Sequence, residues 1–328
     1  MDVKGSPQRV SRADVLSAPA APVIKQPLWQ IHLSLWWRGM KDNWAIYSEN
    51  PIGLIGLGII VLFALMAIAH PILYNTVWDQ KVYDPIVGFD YNYAHPAAPS
   101  ADHLLGTDPI GRDVVSQLLY STASEFALGL VAALVTVLIG TSLGAMAAYF
   151  GGISDVLLMR LADIVIMTPL IPLLIVIGAL FELNLILLGV VLGILSGFGG
   201  VTVIIKSQAL AIMVKPYIEA ARIAGGGHRH IIATHIIPNL LPLSFLYMMF
   251  TVTDAIFSEA VLSFFGLLNI RMSWGIMIHT AQTEGYLLNF QTWWLLFPPS
   301  VSITLLCAAF YMVGRALDEV INPRLRRR

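Results

Sequence analysis

The sequence predicts an all-α polytopic membrane protein with six transmembrane helices, on three observations. Charged residues make up only 12% of the chain against 57% hydrophobic, with a mean hydropathy of +0.75, whereas a soluble domain carries about a quarter charged residues. Six apolar runs reach the roughly 20 residues needed to cross a hydrocarbon core. Lys and Arg are also segregated between alternate connecting segments, as membrane topology requires.

Residues 1–27 are rich in Pro, Ala and Ser with scattered charge. They predict a disordered cytosolic tail rather than a cleavable signal, because no apolar stretch precedes a small-residue cleavage site. Residues 28–50 interleave Trp29, Trp36, Trp37 and Trp44 with Arg38 and Lys41. That mixture is too polar to cross and suits an amphipathic helix lying in the interface. The first span is expected at 51–73 and an external segment at 74–123. A core at 124–316 holds the remaining spans, expected at Phe126–Phe150, Val156–Leu180, Leu185–Ile205, Leu240–Leu267 and Trp293–Arg315. Pro169 and Pro172 should kink the third, since each removes a backbone donor. The basic tail 317–328 ends in Arg324, Arg326, Arg327 and Arg328 and should meet the anionic inner leaflet.

With both termini cytosolic, sixteen of the nineteen Lys and Arg residues lie inside; only Lys81, Arg112 and Arg271 lie outside. Gly140, Gly144 and Ala148 in the second span, and Gly189, Gly193 and Gly197 in the fourth, recur every four residues. Such stripes admit a neighbouring helix at close range, in this chain or in another.

The charge balance, a net −1, gives no basic surface for nucleic acid. Cys307 is the sole cysteine, which excludes an internal disulfide and a thiolate zinc site. His228, His230 and His235 crowd one loop, yet no carboxylate or thiol completes a ligand set, so no metal is expected. No GxxxxGK[ST] run and no acid–base or nucleophile constellation occurs, so the chain is not expected to be an enzyme.

Two polar segments are too long to be turns. In the outer one, Gly106 and Gly111 permit tight turns, and Asp108, Arg112 and Asp113 can form a fixed polar network or a docking surface for an external protein. In the inner one, 206–239, Pro216 can begin a helix through Tyr217-Ile-Glu219-Ala220-Ala221-Arg222, ended by Gly225 in the left-handed region. Glu219 and Arg222, three apart, can share a side, and Ile237-Pro238 restarts the chain into the fifth span. This is a short, exposed handle. Asp254 and Glu259 lie within the fifth span, where carboxylates are costly and face a cavity or a partner. Five residues correspond to about 140° of helix, so the two should face different ways.

The run Glu219-Ala220-Ala221, Gly225, Ile237-Pro238 resembles the EAA loop of ATP-binding-cassette importer permeases. Gly106-Thr107-Asp108, Gly111-Arg112-Asp113, Arg160 with Asp163, His235 to Asn239, Ser273-Trp274-Gly275 and Asn322 to Arg326 narrow the resemblance to the C-type permeases of the dipeptide/oligopeptide/nickel branch. It runs from about Trp37 to the C-terminus. Gly226-Gly227, Ile237, Thr168-Pro169 and Asn269 to Met272 depart from the usual pattern, and Asp254 is not typical of it.

The resemblance implies the type I ABC importer fold in the plasma (inner) membrane of a prokaryote. It implies a homologous B-type permease subunit, two ABC ATPase subunits that bind ATP and Mg, and an extracytoplasmic substrate-binding protein; the chain itself needs no cofactor. It assigns ATPase coupling to Glu219, Ala220, Ala221, Arg222, Gly225, Ile237 and Pro238. Asp254 and Glu259 stand as pathway candidates, and Asp108, Arg112 and Asp113 as binding-protein contacts. Peptides are the expected cargo, with oligosaccharides or nickel chelates as alternatives. A secondary transporter, from a different class, would instead use Asp254 as a coupling carboxylate.

Overall fold

The computed structural model describes residues 28–321. The tail expected at 1–27 and the Arg324–Arg328 cluster lie outside the described residues. The chain divides into two compact units, residues 1–46 and 47–328. The described part of the first is the body of helix α1 (Leu28–Ser48), which matches the segment expected to be an amphipathic helix.

The regular structure of the second unit is helical over its described residues, apart from one isolated bridge between Thr107 and Asp113 within the irregular segment 84–113. Helix α2 (Pro51–Thr76) begins with Pro51, whose missing N–H falls in the first turn, and with Asn50 capping Gly53 N at 3.0 Å. A short α3 (Gln80–Tyr83) follows. Helix α4 (Val114–Phe150), about 55 Å long at 1.5 Å per residue, starts well before the expected Phe126. Asp113 sets that start by accepting from Ser116 N at 2.7 Å, so the connecting segment narrows from 74–123 to 77–113.

The expected third span is corrected: Val156–Leu180 is two helices, α5 (Gly152–Met167) and α6 (Leu170–Leu180), bent by 86°. Pro169 is the cause, because it pushes Thr168 out of the helical region to φ −80°, ψ 124°. Helices α7 (Leu185–Ser196) and α8 (Thr202–Met213) join through a π-helical turn at 197–201 and extend past the expected Ile205. Helix α9 (Pro216–Ile223) is the expected inner helix.

Pro238 does not restart the chain. Helix α10 (His228–His230) runs through a π-helical turn at 231–236 into α11 (Ile237–Phe264). The wider turn, with Ile237 N bonded to Ile232 O, takes up the proline next to it. Helix α12 (Trp274–Thr283) and a 3₁₀ turn at 290–295 precede α13 (Phe297–Ile321). The last span therefore begins after Trp293, and 317–321 belongs to it rather than to a tail.

Among the described residues, five stretches are long and apolar enough to cross a membrane, and the bent pair α5–α6 makes a sixth when taken as one span. The glycine stripes serve packing within the chain. A Cβ on Gly193 would lie 2.5 Å from Val135 Cβ, and one on Gly144 would lie 2.7 Å from Ile205 Cγ2. Helix α4 is thus pressed against α7 and α8 along its length, as small residues allow. On its other flank it packs against α11. Asn50 Nδ2 donates to Glu319 Oε2 at 2.7 Å, which latches the start of α2 to the end of α13.

Candidate functional site

Helix α9 is a two-turn helix with one fully buried side chain. Ile218 is fully buried among Ala145 and Ala148 of α4, Ile205 and Ala209 of α8, and Ile231, Ile236 and Leu240. Glu219, Ala220, Arg222 and Ile223 are exposed, and Ala221 is half-buried. The helix ends in a complete Schellman motif: Gly225 N donates to Arg222 O at 3.0 Å and Gly226 N to Ala221 O at 3.0 Å. Gly225 sits at φ +84°, a conformation that L side chains adopt at a cost. Glu219 and Arg222 do not form the ion pair their spacing allows. The Arg222 guanidinium instead lies 5.5 Å from the centre of the Tyr149 ring, whose hydroxyl bonds His228 Nδ1 at 2.8 Å. Ile237 packs on the cluster around Ile218, and Pro238 is exposed. Nearby, Lys206 Nζ on α8 pairs with Asp155 Oδ1 on α5 at 2.5 Å.

The opposite end of the bundle holds a buried polar network. Asp108 Oδ2 receives Arg112 Nε at 2.7 Å and Gln117 Nε2 at 2.9 Å, and Arg112 Nη2 reaches Thr280 Oγ1 on α12 at 3.4 Å. His103, fully buried, is gripped from both sides: Nδ1 lies 2.9 Å from Asp113 Oδ2 and Nε2 lies 3.3 Å from Asp90 Oδ2. An imidazole with a carboxylate at each nitrogen is favoured as the doubly protonated cation. The bond to Asp113, helped by Asp90 and opposed by burial, accordingly raises the His103 pKa above its ordinary value. The backbone N–H of Asn92, with His103 second among the favourable contacts, holds Asp90 below the usual carboxylate range. Trp294 Nε1 donates to Thr107 O at 3.1 Å and Trp274 Nε1 to Leu118 O at 3.2 Å, pinning the segments after α11 onto this network.

These positions correct the expected docking surface. Asp108, Arg112 and Asp113 are all buried and spend their polar atoms inside the chain, so they shape the outer segment and do not present it. Glu259 is corrected likewise: it is fully buried, with Oε1 accepting from Ser263 Oγ at 2.5 Å, and lines no open surface. Asp254 is exposed on the chain's own surface, beside exposed Phe257, so the two carboxylates do face different ways. Among the described residues no group of His, Cys, Asp and Glu could hold a metal; His228 is committed to Tyr149, and the His230 and His235 rings pack edge to face. Three participants went unrecognised from sequence: the clamp around His103, Trp294 at the loop, and Glu125, fully buried on α4. His103 and Asp113 could have been flagged by their ten-residue spacing across two turn glycines, but their pairing with Asp90 has no local signature.

Residues 137–327 match the family model described as the binding-protein-dependent transport system inner membrane component. Residues 37–96 match the N-terminal transmembrane domain of oligopeptide transport permease C. The chain is 32% identical over 294 residues to the dipeptide transport system permease protein DppC of Bacillus subtilis, covering 88% of this chain and 86% of that one. It is 32% identical to the oligopeptide transport system permease protein OppC of Haemophilus influenzae, over 88% and 89% of the two chains. It is 30% identical to the glutathione transport system permease protein GsiD of Pectobacterium atrosepticum, over 87% and 91%. A helical bundle of five or six spans, with a glycine-capped EAA helix on a single buried anchor, and a family match over more than half its length make this chain a member of the binding-protein-dependent transport system inner membrane component family, the permeases of type I ABC importers.

Proposed function

We propose that the chain is a peptide-importer permease subunit, forming half of a translocation pathway with a homologous permease. In this reading two ATPase subunits clasp α9 on the cytosolic side, and an external binding protein delivers di- or oligopeptides to the segment 77–113. The observation that carries it is the form of α9: a helix exposed except at buried Ile218 and half-buried Ala221, ended sharply at Gly225, and carrying nothing able to catalyse. A cleft on another protein can close around such a helix, and the seat of Ile218 among α4, α8 and α11 conveys its movement to three helices. The peptide cargo rests on the names of the dipeptide and oligopeptide relatives.

The binding protein would then meet what the buried network displays, including exposed Val87, Tyr91 and Leu104. Asp254, a carboxylate on the outer face of a spanning helix, is too costly to leave against lipid and belongs to the pathway or the permease–permease seam.

The test is purification in mild detergent followed by reconstitution. An ATPase and a second permease should co-purify, and peptide uptake should require ATP and the binding protein. Glu219→Lys with Gly225→Val should abolish uptake while membrane insertion stays normal. Uptake by this chain alone in liposomes would overturn the proposal in favour of a secondary transporter.

A further inference from the structure

Glu125 on α4 and Glu259 on α11 are both fully buried where these helices pack, and their carboxyls adjoin. One of the four oxygens, Glu259 Oε1, accepts a hydroxyl, from Ser263; Ser263 Oγ is itself 3.4 Å from Ser273 Oγ, its donor on the α12 side. Both oxygens of Glu125 and Oε2 of Glu259 meet no donor. No Lys, Arg or His among the described residues pairs with either group. Cys307 on α13 lies near Glu125 and cannot supply positive charge.

The unmet demand continues along one face of α4. Gln117, Ser121 and Glu125 recur every four residues, so they stack on one side. Ser121 Oγ and Gln117 Oε1 are likewise buried without a partner, while Gln117 Nε2 is tied to Asp108 in the buried network. Two adjoining carboxylates at full burial repel each other, and the chain does not supply the hydrogen bonds that an ion requires. A proton answers both needs, since a carboxylic acid supplies the missing O–H donor.

The geometry points to a proton-binding site shared by Glu125 and Glu259. Glu125 is the acid and donates to Glu259, which accepts from Ser263 as well. The bound proton joins α4 to α11, and parting the two helices breaks the bond that holds it. The stripe of Ser121 and Gln117 connects the site toward the end of the bundle where Asp108 lies.

The test is infrared spectroscopy of the full-length chain with its partner subunits in lipid nanodiscs. The native protein should show the carbonyl stretch of a protonated carboxylic acid, shifting on exchange into D₂O. Glu125→Gln should remove that band yet keep the thermal midpoint, because the amide N–H donates where the O–H did; Glu125→Ala should lower the midpoint. Glu259→Gln should shift the band without removing it, since Glu125 remains the acid. The proposal is overturned if the native protein lacks the band, if Glu259→Gln leaves it unmoved, or if Glu125→Gln destabilises as much as Glu125→Ala. A midpoint that rises with added Na⁺ would overturn it too, by assigning the site to a metal ion.

Discussion

Under the proposed function, Gly225 is where coupling can be perturbed without touching the bundle. Its φ of +84° closes the Schellman cap of α9, and a Cβ built there would meet nothing within 4 Å. Substitution therefore brings backbone strain alone, with no steric clash to confuse the result. For an L residue the left-handed region costs roughly 1–2 kcal/mol, with a β-branched side chain at the upper end. If only the capped lever engages the ATPase, that strain lowers the competent population by about five- to thirty-fold. Gly225→Val should therefore reduce ATP-driven peptide uptake in proteoliposomes by that factor, Gly225→Ala by less, and Gly225→Asn least, because Asn tolerates the left-handed region. The thermal midpoint of the spans should not move. Uptake by the Val variant within about twofold of the native protein, or an Asn variant worse than Val, would refute the argument from backbone conformation.

Three further outcomes follow from the other features. Because partners raise the folded pKa of His103, its contribution to the outer segment is full below an ordinary histidine value of about 6.5 and is lost as pH rises through the raised folded value; Asp90, held low, loses its share only as acid protonates it. Amide exchange in 84–113 should thus quicken from neutral to alkaline pH beyond its intrinsic base dependence, and His103→Gln should flatten that extra rise. Gly193→Val places a Cβ 2.5 Å from Val135 Cβ and 2.7 Å from Ala132 O, so it should destabilise by about 1–3 kcal/mol or more, read as a lower thermal midpoint of the purified complex. Asp254→Asn should change uptake kinetics or cargo preference with assembly intact, and unchanged uptake across cargoes would remove Asp254 from the pathway.

The spans and the lever were legible because their signals are local. Hydropathy marks a helix that must satisfy its own backbone in lipid, and Pro216 and Gly225 mark both ends of α9. What hydropathy blurs is the boundary. It starts the second span at Phe126, immediately after Glu125, because a carboxylate reads as an edge; the helix in fact begins at Val114 and carries Glu125 into the core. The break at Thr168-Pro169 was expected as a kink, but proline chemistry does not state the angle. Asp108, Arg112 and Asp113 read as a docking surface because charge suggests solvent, whereas the Arg112 guanidinium is met by Thr280, far along the chain on α12. Such nonlocal pairing is invisible to any window along the chain.

Ile218 in its hollow is the deepest attachment of α9 to the bundle, and Arg222 against Tyr149, Tyr217 against His235 and half-buried Ala221 lie around it. A deep pin with shallow stays resists a thrust into the hollow more than a roll about it. Under the proposed coupling, a motor that pushed α9 would move the spans further than one that turned it. Tyr149→Leu would remove one stay, and the loss should surface as slippage, with more ATP spent for each solute carried.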